Sequence, residues 1–159
     1  MDKIKYTFFG EYFGLYDPFP DSDGLYNGCT IPLNQALFLY RITHISFITA
    51  AIGLINNYTW LASGTAIGSC IAHSYWYNPR YNWIRRLDIA TVQVLIWTHL
   101  WTAIDNPRFT PYISIQIIGA IFYILGLYLH KHKEVWGSTI SHSLVHICAN
   151  LSLIILYTS

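Results

Sequence analysis

Five stretches of this chain are long and apolar enough to cross a hydrocarbon core, at residues 33–55, 58–77, 87–104, 112–130 and 138–157. A helix advances about 1.5 Å per residue, so roughly 20 mainly apolar residues traverse a bilayer interior of about 30 Å. Backbone groups in lipid find no water, so a spanning segment closes its own hydrogen bonds as an α-helix. The expected fold class is therefore all-α, an integral membrane helix bundle of about five transmembrane helices.

Turn chemistry separates the stretches at Asn56-Asn57, Asn78-Pro79, Asp105-Asn106-Pro107 and Trp136-Gly137. Trp60, Trp83, Trp101 and Trp136 lie near the expected ends, where amphipathic rings favour the headgroup layer. Only 11% of the residues are charged and 53% are hydrophobic, whereas soluble domains carry about 25% charged residues. Nine basic and eight acidic residues leave a net charge of +1, with no basic face for nucleic acid. Cys29, Cys70 and Cys148 are odd in number and show neither a disulfide framework nor zinc-finger spacing. Residues 1–32 form an expected N-terminal aromatic interfacial segment. They lack the unbroken apolar run of a cleavable signal peptide.

The basic residues set an orientation. The side of the N-terminus receives Lys3, Lys5, Arg80, Arg85, Arg86, Lys131 and Lys133, and the opposite side receives Arg108. Cytosolic loops carry the excess of Lys and Arg, so the N-terminus is expected in the cytosol and the C-terminus outside.

Five polar residues inside the apolar stretches carry the candidate chemistry: Ser69, His73, Asp88, His142 and His146. Ionisable groups are costly in hydrocarbon, so they turn to the bundle interior and mark function. Ser69-x3-His73 and His142-x3-His146 are four-residue spacings, which stack each pair on one helix face. The expected helix directions put all five within roughly 5–15 Å of the cytosolic face. Three imidazoles with an open fourth position are a catalytic zinc set, with His73, His142 and His146 as ligands. Asp88 would orient or deprotonate water, and Ser69 would hydrogen-bond the water or a developing oxyanion. No base stands beside Ser69 in the sequence, which argues against Ser69 as nucleophile.

The order Gly68-Ser69-Cys70-Ile71-Ala72-His73, Leu87-Asp88 and His142-Ser143-Leu144-Val145-His146 resembles a known group. It is the CREST-type superfamily uniting alkaline ceramidases, progestin/adiponectin-type receptors and haemolysin III-like proteins. The resemblance implies a zinc-dependent membrane hydrolase acting on a lipid amide such as ceramide, with the histidines on zinc and the serine and aspartate in support. Its rival within the same resemblance is a zinc-stabilised receptor-like or structural protein without turnover. Those families have seven helices, with three between the aspartate helix and the last, where this chain has one. A shortened bundle calls for a second copy, as in a homodimer, or for the N-terminal segment to wall its pocket.

Other features have plainer readings. His99 lies 11 residues after Asp88 on the same helix face, about 16 Å deeper, and with His44 it is expected to form a second polar layer. Two such histidines also suit axial haem ligation, the reading of an electron-transfer protein. Gly64-x3-Gly68 permits close helix approach and is expected to bring His73 toward the fifth segment. His130 and His132 are expected in a solvated loop, and the fourth segment is expected to serve packing alone.

Overall fold

A computed structural model describes residues 31–77, 79–80 and 82–159. All but the last two residues of the expected interfacial segment lie outside that range. The described chain is all-helical, with α1 at Leu33–Ile42, α2 at Ile45–Ile55, α3 at Thr59–Tyr77, α4 at Trp83–Ala103, α5 at Phe109–Lys131 and α6 at Val135–Tyr157.

The first expected segment is thus broken. Side chains at the break take up backbone acceptors, with the Thr43 hydroxyl donating to the Tyr40 carbonyl at 2.8 Å. His44 Nδ1 lies 3.0 Å from that carbonyl and 3.2 Å from that of Arg41. Local bonds of this kind compete with the helical ladder and interrupt it. The chain then leaves α2 through a left-handed Asn57 (φ 65°), with Tyr58 N–H bonding the Gly53 carbonyl and Asn57 N–H the Leu54 carbonyl. That pairing is a Schellman motif, and asparagine tolerates its backbone geometry. Lys133 (φ 63°) ends α5 in the same way. The expected turn at Trp136-Gly137 is therefore corrected to residues 132–134, and Gly137 lies in the first turn of α6. α4 begins at Trp83, one turn earlier than expected, because the Asn82 side chain accepts from the Ile84 and Arg85 N–H groups and caps it.

Three helical stretches are long and apolar enough to cross a membrane: Asn34–Ile55, Phe109–Lys131 and Val135–Tyr157. α3 and α4 have 19 and 21 residues, length enough for about 30 Å. Their serines, threonines and the cluster Arg85, Arg86 and Asp88 dilute their apolar character. Large apolar side chains face outward, among them Ile55, Val94, Trp97, Ile121 and Ile124, while Thr65, Ser69, His99, Ser141, Asn150 and Ser152 are buried. Apolar outside and polar inside is the distribution of a bundle solvated by lipid, since helices there associate through small and polar residues.

Counting α1 and α2 as one broken segment, successive segments alternate in direction. Tyr58, Asn106 and Ser159 meet at one end, with Asn106 Nδ2 donating to Ser159 Oγ at 2.7 Å and Tyr58 and Ser159 hydroxyls 2.8 Å apart. Beneath them Leu61, Ala103, Tyr112, Leu156 and Tyr157 close the bundle in one apolar cluster. α5 and α6 run side by side, with Gly119 against Cys148 and Gly126 against Ser141. Gly64 and Gly68 of α3 pack on Leu95 of α4. The small-residue pair thus draws in α4, not α6 as expected from sequence. At the opposite end a cavity lies among α3, α4, α5 and α6.

Candidate functional site

The cavity has a volume of about 190 Å³ and is lined by residues of every long helix. Arg85, Asp88 and Ile89 come from α4, Tyr123, Leu127 and His130 from α5, Ser138, Thr139 and His142 from α6, and Tyr75 and Trp76 from α3. Arg85 precedes Asp88 by three residues, so guanidinium and carboxylate share one helix face in this cleft. Tyr123 and His130, set at i and i+7 with Leu127 between, present a polar stripe that corrects two expectations: α5 does more than pack, and His130 belongs to a helix and a cavity wall. That stripe was visible as helical spacing, but it lies within the most apolar stretch of the chain.

His142 lines the cavity, and one turn further His146 is stacked on it, ring centroids 5.0 Å apart at 73°. Two imidazoles bound to one tetrahedral zinc at about 2.0–2.1 Å place their ring centres about 5 Å apart. Trp76 packs edge-on against His142 at 5.3 Å. The Nε2 atom of His146 is buried and has no hydrogen-bond partner. A buried unsatisfied polar atom costs about 1–3 kcal/mol.

His73 lies within Coulombic reach of His146 but turns to a different neighbour. Its Nε2 meets His44 Nδ1 at 3.2 Å, while its Nδ1 lies 3.0 Å from the Ser69 carbonyl and 3.3 Å from Thr43 Oγ1. Tyr40 and Phe47 pack their rings on His73 at 4.8 and 4.9 Å. Ser69 is buried, and its hydroxyl donates to the Thr65 carbonyl at 2.7 Å. Ser69 therefore meets His73 through its backbone carbonyl. Among the described residues no three His, Cys, Asp or Glu side chains form one group placed to hold a metal ion. Of the sequence-derived set, Asp88 and His142 line the cavity, His146 stands against His142, and His73 is joined to His44.

The expected His44–His99 layer does not form. Eight residues, about 12 Å of helix, separate their partners on α3: His44 meets His73, whereas His99 Nε2 lies 2.7 Å from the Tyr157 hydroxyl and 3.4 Å from Thr65 Oγ1. His99 Nδ1 is held by the Leu95 carbonyl at 2.7 Å, so both its nitrogens are occupied and neither is open to a haem iron in this arrangement. The antiparallel register of α1, α2 and α3 sets the first pairing, a long-range fact with no local signature in the sequence.

No protein-family profile matches this chain, and comparison with curated proteins and with solved structures gives no match.

Proposed function

We propose that the chain is a multispanning membrane protein whose five helical segments all cross the bilayer, N-terminus and site toward the cytosol. In this reading His73, His142 and His146 hold zinc, and the protein hydrolyses a lipid amide of the ceramide kind. The observation that carries it is the orphaned His146 Nε2 against His142, which lines the cavity together with Asp88. The order and spacing of the five residues, and their likeness to the alkaline ceramidase and receptor superfamily, point the same way.

Bound zinc would supply a Lewis acid and lower the pKa of water to about 7. The chain's own groups divide the remaining work. The Ser69 carbonyl accepts the His73 Nδ1 proton, fixing the tautomer that leaves Nε2 as a donor of electrons. Asp88, at the cavity wall, takes a proton from water and returns it to the leaving amine. Arg85 and His130 bind the polar head of the substrate, and Leu39, Ile89 and Leu127 meet its apolar part. In this reading the lipid enters the cavity sideways from the bilayer.

A second reading has one observation of its own. His73 faces His44 and not the other two ligands, as suits a metal-stabilised bundle that does not turn over. Elemental analysis of detergent-purified protein, beside a His142→Ala/His146→Ala variant, tests both. About one zinc per chain, lost in the variant, supports the site. Fatty-acid release from labelled ceramide then separates enzyme from structural protein. Metal-free fresh protein would remove the zinc reading altogether.

A further inference from the structure

We propose that the cavity is a binding site for a phosphoethanolamine group, with the ammonium on Asp88 and the phosphate on Arg85. The inference shares the cavity with the reading above, but it uses none of the histidines assigned to zinc and needs no metal.

Asp88 is the starting point. It lines the cavity and is half-buried. Among the described residues its carboxylate accepts no hydrogen bond and closes no ion pair, although Arg85 lies within Coulombic reach. A carboxylate taken out of water is costly unless donors satisfy its lone pairs, so the missing partner is a donor, and best a charged one. Arg85, one turn earlier on the same face, lines the same space with the opposite sign. A plain cation meets the guanidinium and a plain anion meets the carboxylate. A ligand carrying both charges suits both residues.

The walls refine the pair. Trp76 lines the cavity, and its Nε1 is buried without a hydrogen-bond partner, which leaves a second donor on the oxyanion's side of the account. Tyr75 and Tyr123 also line it, and aromatic faces attract a cation within about 6 Å. A trimethylammonium would gain from those rings but has no N–H for the Asp88 lone pairs, so a primary ammonium fits better. Arg85 and Asp88 lie in the first two turns of α4, within about 8 Å of its end. That is headgroup depth, where the abundant oxyanion is phosphate. An ethanolamine phospholipid and soluble phosphoethanolamine present the same chemistry.

The test measures binding to the full chain in detergent, with a chelator present throughout. Isothermal titration compares O-phosphoethanolamine, phosphocholine and glycerol phosphate. Native mass spectrometry compares added ethanolamine and choline phospholipids. The ethanolamine form is expected to bind about tenfold tighter or more than the choline form, the worth of a charge-assisted hydrogen bond. Selectivity in the titration marks a soluble ligand, and selectivity among the phospholipids alone marks a lipid. Asp88→Asn is expected to abolish the preference, Arg85→Gln to weaken phosphoethanolamine binding about tenfold, and Arg86→Ala, at an exposed position, to match wild type. Equal binding of ethanolamine and choline forms overturns the proposal, as does glycerol phosphate binding as well as phosphoethanolamine, or no binding at all. These comparisons are made on the wild-type chain, so they decide the matter whether or not a variant folds. A preference that survives in folded Asp88→Asn also overturns it. Because the chelator is present, failure here leaves the zinc reading standing, and metal-free protein leaves this site standing.

Discussion

The Tyr157 hydroxyl donates to His99 Nε2 across 2.7 Å, joining α6 to α4 in the buried centre of the bundle. His99 Nδ1–H holds the Leu95 carbonyl, which leaves Nε2 as the acceptor. Thr65 of α3 stands 3.0 Å from the same hydroxyl, so one phenol ties three helices. Tyr157→Phe is expected to destabilise the protein by about 1–3 kcal/mol, because His99 is left buried and unsatisfied. Adding His99→Leu should restore part of that loss. Thermal unfolding in detergent of both single variants and the double variant measures the coupling, and strictly additive losses would contradict it.

Two glycines differ in what they face. A Cβ on Gly53 would stand 2.8 Å from Tyr157 Cε2 and 2.9 Å from Ala62 Cβ, whereas one on Gly64 would meet the terminal Leu95 Cδ2 at 3.1 Å. The Ala62 atom is fixed to its backbone, but the Leu95 methyl can rotate away. Gly53→Ala should therefore cost about 1–3 kcal/mol. Gly64→Ala should be close to neutral, since the gain in helix propensity of about 1 kcal/mol offsets the shift. Equal effects in an unfolding assay would refute the contrast.

Asp88 lines the cavity with His142, but in the proposed division of labour it moves a proton and does not bind metal. Asp88→Asn should lower lipid-amide hydrolysis about 10²–10⁴-fold while zinc content stays at the wild-type level. Arg86→Ala, at an exposed position two residues earlier, should leave both unchanged. Loss of zinc in Asp88→Asn would instead make the carboxylate a ligand.

The alternating helices predict a labelling pattern. Single cysteines at Asn57 and Asp105, in a background with the native cysteines replaced by serine, should react with an impermeant maleimide from outside intact cells. A cysteine at Lys133 should react only after permeabilisation. All three positions are exposed in the bundle. Labelling of 57 and 133 from the same side would rule out the five-span arrangement.

Helix content was legible in the sequence, because apolar length is a local property, as are the four-residue spacings of Ser69-His73 and His142-His146. The turns were partly legible: Asn56-Asn57 marked one, whereas the turn through Lys133 was expected at Trp136-Gly137. What touches what was decided by packing. Small residues at Gly64 and Gly68 recognise a groove only once Leu95 is there to fill it, and no sequence pattern says which helix will bring it. The same holds for His73, whose spacing pairs it with Ser69 but whose antiparallel neighbour supplies His44 at 3.2 Å. Periodicity assigns a side chain to a face of its own helix; the register between helices, set by the whole bundle, chooses the partner on the other side.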